Sequence, residues 1–372
     1  VDLRLELERA AARAVLRLPP RLLRAALGPG RRAPEGYPLD LQSEVLLALM
    51  RLLGEKGIEH VEPELSRRKL DHAARVLEVR VPGVTVREGT LPGAAGPRRV
   101  RTYRPRGAPS GAMPGILWLH GGGFVLGSIE SHDGVCRALA SRAGVAVAAL
   151  DYRLAPEHRF PAGLDDVVAA SRWLLERGEE LGFDPAALAI GGDSAGGNLA
   201  AVTCQTLRGS ARAPVFQLLV YPATDATRSL PSHRTLGQGL VLTEQNVEWF
   251  LDHYIVAPAQ AKDPRVSPLR AADLSGLPPA LVMTAGFDPL RDEGRAYAEG
   301  MRAAGVDVEF VCLEGSMHGY LNTAGGLDES ARGVALAADR LRRALGRGGS
   351  LAATPSSSPA PAPLRTPPAS PA

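Results

Sequence analysis

Ser194 stands in the stretch GGDSAGG, residues 191–197, where one hydroxyl and one carboxylate sit among four glycines. A serine hydroxyl attacks an acyl carbon only when a base takes its proton and a carboxylate orients that base. The pentad Gly192–Gly196 fits G-x-S-x-G, a strand-to-helix turn that exposes a nucleophilic serine. Glycine on both sides removes β-carbons that would clash where strand and helix pack. The helix that starts near Ala195 aims its free N–H groups toward the place where negative charge develops in acyl transfer. Such pentads also occur in ordinary glycine-rich turns. No Walker lysine accompanies this one, and its glycines are misplaced for a dinucleotide loop.

A second stretch, LWLHGGGF, carries His120 and three bare peptide units at 121–123. Placed after a strand and ahead of the pentad, these units present backbone N–H groups to an oxyanion, and the N–H of Ala195 completes a three-donor cradle. His120 itself fits a prop that hydrogen-bonds within the loop. A base is sought among eight histidines. His60 and His72 lie in a helical N-terminus, His233 and His253 in a later insertion, and surface or packing roles suit all four. His132 and His158 precede the serine, against the Ser, Asp, His order of this kind of sheet. His318 remains, just past the last strand in VEFVCLEGSMHGY. For the acid, ALVMTAGFDPLRDEG offers Asp288, Asp292 and Glu293; Asp288 ends its strand directly, whereas the other two fit a helix start.

Positioning these groups requires a sheet. Strands are predicted at 84–90, 99–104, 115–120, 145–151, 188–192, 215–221, 280–286 and 307–313. Helices are predicted near 131–143, 162–177, 195–208, 290–304 and 328–346. Continuous apolar strands such as GILWLH and VAVAAL argue for a sheet buried on both faces, hence α/β and largely parallel. Residues 1–75 read as helical, with Leu41, Val45, Ala48, Leu49 and Leu52 on one face and Gly54 as a stop. The two core parts are then 76–222 and 276–347. Between them, 223–275 breaks the alternation, and Thr243 N-caps a helix carrying Val247, Phe250, Leu251 and Tyr254. This insertion is expected to pack with the N-terminal helices over the working edge of the sheet. The segment 348–372 is rich in Pro, Ser and Ala and is expected to be disordered.

Composition narrows the function classes. The 372 residues carry 43 basic and 40 acidic side chains, a net +3 too balanced for a nucleic-acid binder. Apolar residues make up 45%, enough for a substantial core. Cys136, Cys204 and Cys312 are far apart, fit no metal spacing, and lie in apolar segments as free thiols. The N-terminal stretch has early acids and no continuous apolar run, so a signal peptide is not expected. No stretch approaches the roughly 18 apolar residues of a membrane span. A cytoplasmic location is the expectation.

Four segments carry a family resemblance: HGGGFVLGS at 120–128, DYRLAPEHRFPA at 151–162, GDSAGGN at 192–198, and SPLRAADLSGLPPALVMTAGFDPLRDEG through HGY at 267–320. Over roughly residues 75–345 the chain resembles the hormone-sensitive-lipase-like carboxylesterases of the α/β-hydrolase superfamily. That resemblance implies an α/β-hydrolase fold of about eight strands under a two-part helical cap. By position it implies Ser194 as nucleophile, Asp288 as acid and His318 as base, with oxyanion donors on the backbones of Gly121, Gly122 and Ala195. Tyr320 departs from the usual phenylalanine. The implied activity is hydrolysis of short- to medium-chain carboxylic esters, a small-molecule substrate, with no metal or other cofactor. Tyr221, Trp249 and Phe250 are candidates to line the pocket, and plain packing suits each of them equally. A homodimer through the eighth strand is a family possibility. Two other functions stay open: an amide-directed hydrolase using the same triad, and a non-catalytic receptor, which the presence of His318 disfavours.

Overall fold

The computed structural model describes residues 2–54 and 57–346. The tail at 348–372 lies outside the described residues. Eight strands form one sheet: β1 (Val84–Gly93), β2 (Gly96–Pro105), β3 (Met113–Leu119), β4 (Ala146–Leu150), β5 (Phe183–Asp193), β6 (Phe216–Val220), β7 (Ala280–Phe287) and β8 (Val308–Met317). Their order is β1-β2-β4-β3-β5-β6-β7-β8. The pairs β1–β2 and β2–β4 are antiparallel, and every later pair is parallel. Each strand falls where the apolar runs place it, with ends extended or trimmed by a few residues.

Burial on both faces explains the unbroken apolar strands. Leu117, Leu119, Ala148 and Leu150 enter one core cluster, while Ile116, Trp118, Val147 and Ala149 enter the other. Alternate residues of a strand point to opposite faces, so both sets must be apolar when helices cover both sides. The first face is covered by α6 (Ala162–Arg177), α7 (Ala195–Leu207) and α10 (Arg291–Ala303); the second by α5 (Asp133–Ala143) and α11 (Asp328–Gly346).

The N-terminal segment forms α1 (Leu3–Leu16), α2 (Pro20–Leu27), α3 (Leu41–Leu52) and α4 (Pro63–Leu77). In α3 the face differs from expectation at one end: Val45 and Leu47 are buried, but Leu52 is 82% exposed. Glu44 explains the shift, because its carboxylate is drawn inward by the Arg31 N–H at 2.7 Å and by Arg24. Between β6 and β7 lie α8 (Ser232–Thr235) and α9 (Glu244–Tyr254). Thr243 caps α9 reciprocally with Asn246, at 3.1 and 3.0 Å. Leu39 and Leu47 from the N-terminal segment and Leu236 and Leu240 from the insertion share one cluster with Phe287 and Met317. Those last two residues immediately precede Asp288 and His318, so both outlying segments pack against the strand ends that carry the acid and the histidine.

Candidate active site

The three side chains predicted to work together come from the carboxyl ends of β5, β7 and β8. At the end of β5 the chain turns so sharply that Ser194 takes φ +55°, a region L-residues rarely enter. Its N–H is tied to the Val220 carbonyl at 2.9 Å, which helps hold the turn. A β-carbon at Gly192 or Gly196 would run into the Leu119 carbonyl, so glycine is required at both. The hydroxyl lies 2.9 Å from His318 Nε2, and His318 Nδ1 lies 2.7 Å from Asp288 Oδ2. An ionised carboxylate only accepts, so Nδ1 carries the proton and Nε2 is left to accept from the serine. Asp288 is fully buried, and its other oxygen accepts the Leu290 N–H at 2.9 Å.

The other two acids near β7 have partners other than His318, although Glu293 lines the same cavity as Ser194. Asp292 accepts the Ser232 N–H at 2.9 Å, and Glu293 accepts the N–H groups of Thr224 at 2.6 Å and Asp225 at 3.2 Å. Glu293 also meets His233 at 2.5 Å, both side chains being buried.

The amide cradle differs by one residue from the expected set. Gly121 is already committed: its N–H donates to Asp193 Oδ1 at 3.0 Å. Among the described residues, the N–H groups of Gly122, Gly123 and Ala195 donate to no protein acceptor. Gly123 therefore replaces Gly121 as a free donor. Gly122 and Gly123 take φ +115° and +60°, and the Gly122 carbonyl accepts from Leu126 at 2.7 Å to close the turn. His120 props this loop as expected, its Nδ1 standing 2.9 Å from the Gly121 carbonyl while its ring stacks on Tyr152 at 4.4 Å.

Asp193 was visible in the pentad, but its work was not. Burial opposes its ionisation, yet His132, His120 and the Gly121 N–H outweigh that and hold the carboxyl below its ordinary range. His132 Nε2 stands 3.0 Å from Asp193 Oδ1, with both side chains buried. Chain order removed His132 only as a base, and no signal in the sequence joined it to a carboxylate 61 positions later.

A cavity of about 220 Å³ reaches Ser194 and His318. Ile58 and Leu70 line it from the N-terminal segment, and Val241, Val247, Phe250 and Leu251 from the insertion. Phe250 is thus where the sequence put it. Tyr221 and Trp249 are not in the lining. Tyr221, at φ +35°, is turned into the core, with its ring 4.7 Å from that of His318 and its hydroxyl 3.5 Å from Asp193 Oδ2. Trp249 packs on His253 at 4.2 Å and edge-on to Phe250 at 5.3 Å.

A hydroxyl, imidazole and carboxylate at the edge of a largely parallel sheet, facing unpaired amides, define the serine hydrolase class. The family model described as alpha/beta hydrolase fold matches residues 116–322. The carboxylic ester hydrolase LipN of Mycobacterium tuberculosis is 43% identical over 302 residues, 77% of this chain and 78% of that protein. The ethyl acetate hydrolase of Pseudomonas putida is 42% identical over 266 residues, 70% of this chain and 81% of its own. Among solved structures, the ester-hydrolase EH1AB1 from the metagenome of Lake Arreo superposes with a TM-score of 0.80 at 41% identity, covering 83% of this chain and 99% of that one. The chain belongs to the hormone-sensitive-lipase-like carboxylesterases of the alpha/beta hydrolase fold.

Proposed function

We propose that this protein is a serine carboxylesterase that hydrolyses short- to medium-chain esters through an acyl-enzyme. Ser194 Oγ attacks the ester carbonyl as His318 Nε2 takes its proton, and Asp288 stabilises the imidazolium that forms. The developing oxyanion is received by the N–H groups of Gly122, Gly123 and Ala195. His318 then protonates the departing alcohol. Water repeats the route in reverse and releases the acid.

The observation that carries this is the 2.9 Å and 2.7 Å chain from Ser194 through His318 to Asp288, set beside amides with no other partner. Support for small esters comes from the cavity, whose 220 Å³ falls below the roughly 300–1,000 Å³ of pockets for drug-sized ligands. The relatives named above as a carboxylic ester hydrolase and an ethyl acetate hydrolase point the same way. Turnover of p-nitrophenyl butyrate by the protein and by Ser194→Ala tests it. A loss of about 10⁶ in kcat supports the assignment, and retained turnover removes it.

Three further readings belong to the same proposal. Residues 1–75 and 223–275 form one cap over a core made of 76–222 and 276–347. Self-association runs through β8, an edge strand with one side unpaired in the sheet. A reducing cytoplasmic location suits three free cysteines, of which Cys136 and Cys204 are buried; no helix among the described residues is long and apolar enough to cross a membrane.

A further inference from the structure

The loop at 120–128 lies between two bodies of protein. On the core side it is fixed through His120 and Gly121, as described above, and by the Tyr152 hydroxyl, which donates to the His120 carbonyl at 2.7 Å. On the opposite side, four of its residues are each gripped by a side chain from the N-terminal helices or the insertion. The Phe250 ring occupies the space where a β-carbon of Gly123 would stand. Phe124 takes φ +64°, an unfavourable region for a residue with a β-carbon, and its ring stacks on Tyr254 at 3.8 Å and 6°. Arg67 donates to the Val125 carbonyl at 2.8 Å and to the Ala155 carbonyl at 2.9 Å. Asp71 accepts the Ser128 hydroxyl at 2.6 Å.

The grips come in pairs four residues apart, Phe250 with Tyr254 on α9 and Arg67 with Asp71 on α4. Residues at that spacing share one helical face. Two helices from separate segments therefore each present one face to the same loop. Satisfied contacts on both sides of a glycine-rich segment, buried on the core side and part-buried at Arg67 and Asp71, leave it few alternative conformations, which is what a preorganised set of amide donors needs.

We propose that Tyr254, Phe250, Arg67 and Asp71 are positioning residues for the oxyanion donors, so that the cap is part of the catalytic scaffold as well as the roof of the pocket. This rests on the ester-hydrolase assignment and on the two-part cap. The donors Gly122 and Gly123 sit between the core anchor at Gly121 and the cap grips at 123–128. Loosening a grip misplaces the donors relative to the oxyanion. For Tyr254, Arg67 and Asp71, which lie outside the cavity lining, the cost then falls on the transition state and equally for every acyl chain.

Tyr254 is the clean probe. It is buried, it is absent from the cavity lining, and its hydroxyl has no hydrogen-bond partner, so phenylalanine preserves everything the stack supplies. The experiment compares wild type, Tyr254→Ala, Tyr254→Phe and Arg67→Gln on p-nitrophenyl acetate, butyrate and hexanoate. The expected result for Tyr254→Ala is a kcat lower by about 10²-fold at all three chain lengths, with KM within about two-fold. Tyr254→Phe returns kcat to near wild type. Arg67→Gln, at a side chain 19% exposed, repeats the uniform loss in smaller measure and serves should Tyr254→Ala fail to fold. A wild-type kcat in Arg67→Gln and Tyr254→Ala, or a loss carried by KM and growing with acyl length, overturns the proposal. Wild-type turnover in the same assay tests the ester-hydrolase assignment separately, since the positioning claim is read from ratios between variants.

Discussion

The carboxylate of Asp193, one residue before the serine, accepts the N–H of Gly121 at 3.0 Å. Nucleophile turn and amide loop, 72 positions apart in the chain, are thereby fastened to each other by a single buried hydrogen bond. The position of the donors relative to Ser194 depends on it. Asp193→Ala is expected to lower kcat by about 10²-fold with a smaller change in KM. Asp193→Asn, which keeps an acceptor oxygen, loses much less. Steady-state kinetics on p-nitrophenyl butyrate checks both, and equal losses in the two variants contradict the fastening role.

Gly123 allows a specific steric test. Alanine there faces both a positive φ and the ring of Phe250. Gly144, which ends α5 at φ +71°, has open space around it. Gly144→Ala should therefore cost only the backbone strain of about 1–2 kcal/mol and leave kcat intact. Gly123→Ala should lose kcat as well as stability. Urea unfolding and kinetics on both variants separate the two effects.

Acid should weaken the fold through His120. Burial, reinforced by the neighbouring His132, holds its imidazole down at about 4. In an unfolded chain a histidine takes up its proton near 6.5. The unfolded chain thus binds more protons between those values, so this contribution is complete above pH 6.5 and is lost as pH falls toward 4. The depression corresponds to about 3 kcal/mol. Urea unfolding of the wild type and His120→Gln at pH 7 and pH 4 measures it. The stability advantage of the wild type over the variant should shrink by that amount on acidification, and a constant advantage contradicts the account.

The cavity predicts a chain-length profile. For p-nitrophenyl esters from acetate to palmitate, kcat/KM should peak among the short and medium chains and fall steeply beyond them. Matched anilides should turn over far more slowly than the esters. A maximum at palmitate contradicts the pocket argument, and a preference for anilides contradicts the ester assignment.

Much of this molecule was legible in its residues. Strands such as Met113–Leu119 and Ala146–Leu150 are apolar on both faces because helices cover both, and that pattern survives any detail of packing. Ser194, Asp288 and His318 each follow a strand, so the ends of β5, β7 and β8 bring together what 124 positions of sequence separate. The amide loop was less legible. In a run of three glycines no side chain marks which N–H turns outward, and the direction is set by an acceptor on a different strand, Asp193. Tyr221 was no more legible: its strand-end position suits a pocket wall or plain packing equally, and its ring lies against that of His318 at 4.7 Å, outside the cavity lining. Position along a strand predicts which residue reaches the site, and tertiary contacts decide which way it faces.

The central claim is that one hydroxyl is activated by His318 and faces the amide cradle. Mass spectrometry of the protein treated with a fluorophosphonate probe tests it most directly. A single adduct on the peptide containing Ser194, absent from Ser194→Ala and formed much more slowly in His318→Ala, is the predicted result. Labelling at another residue, or a labelling rate unchanged in His318→Ala, would contradict it.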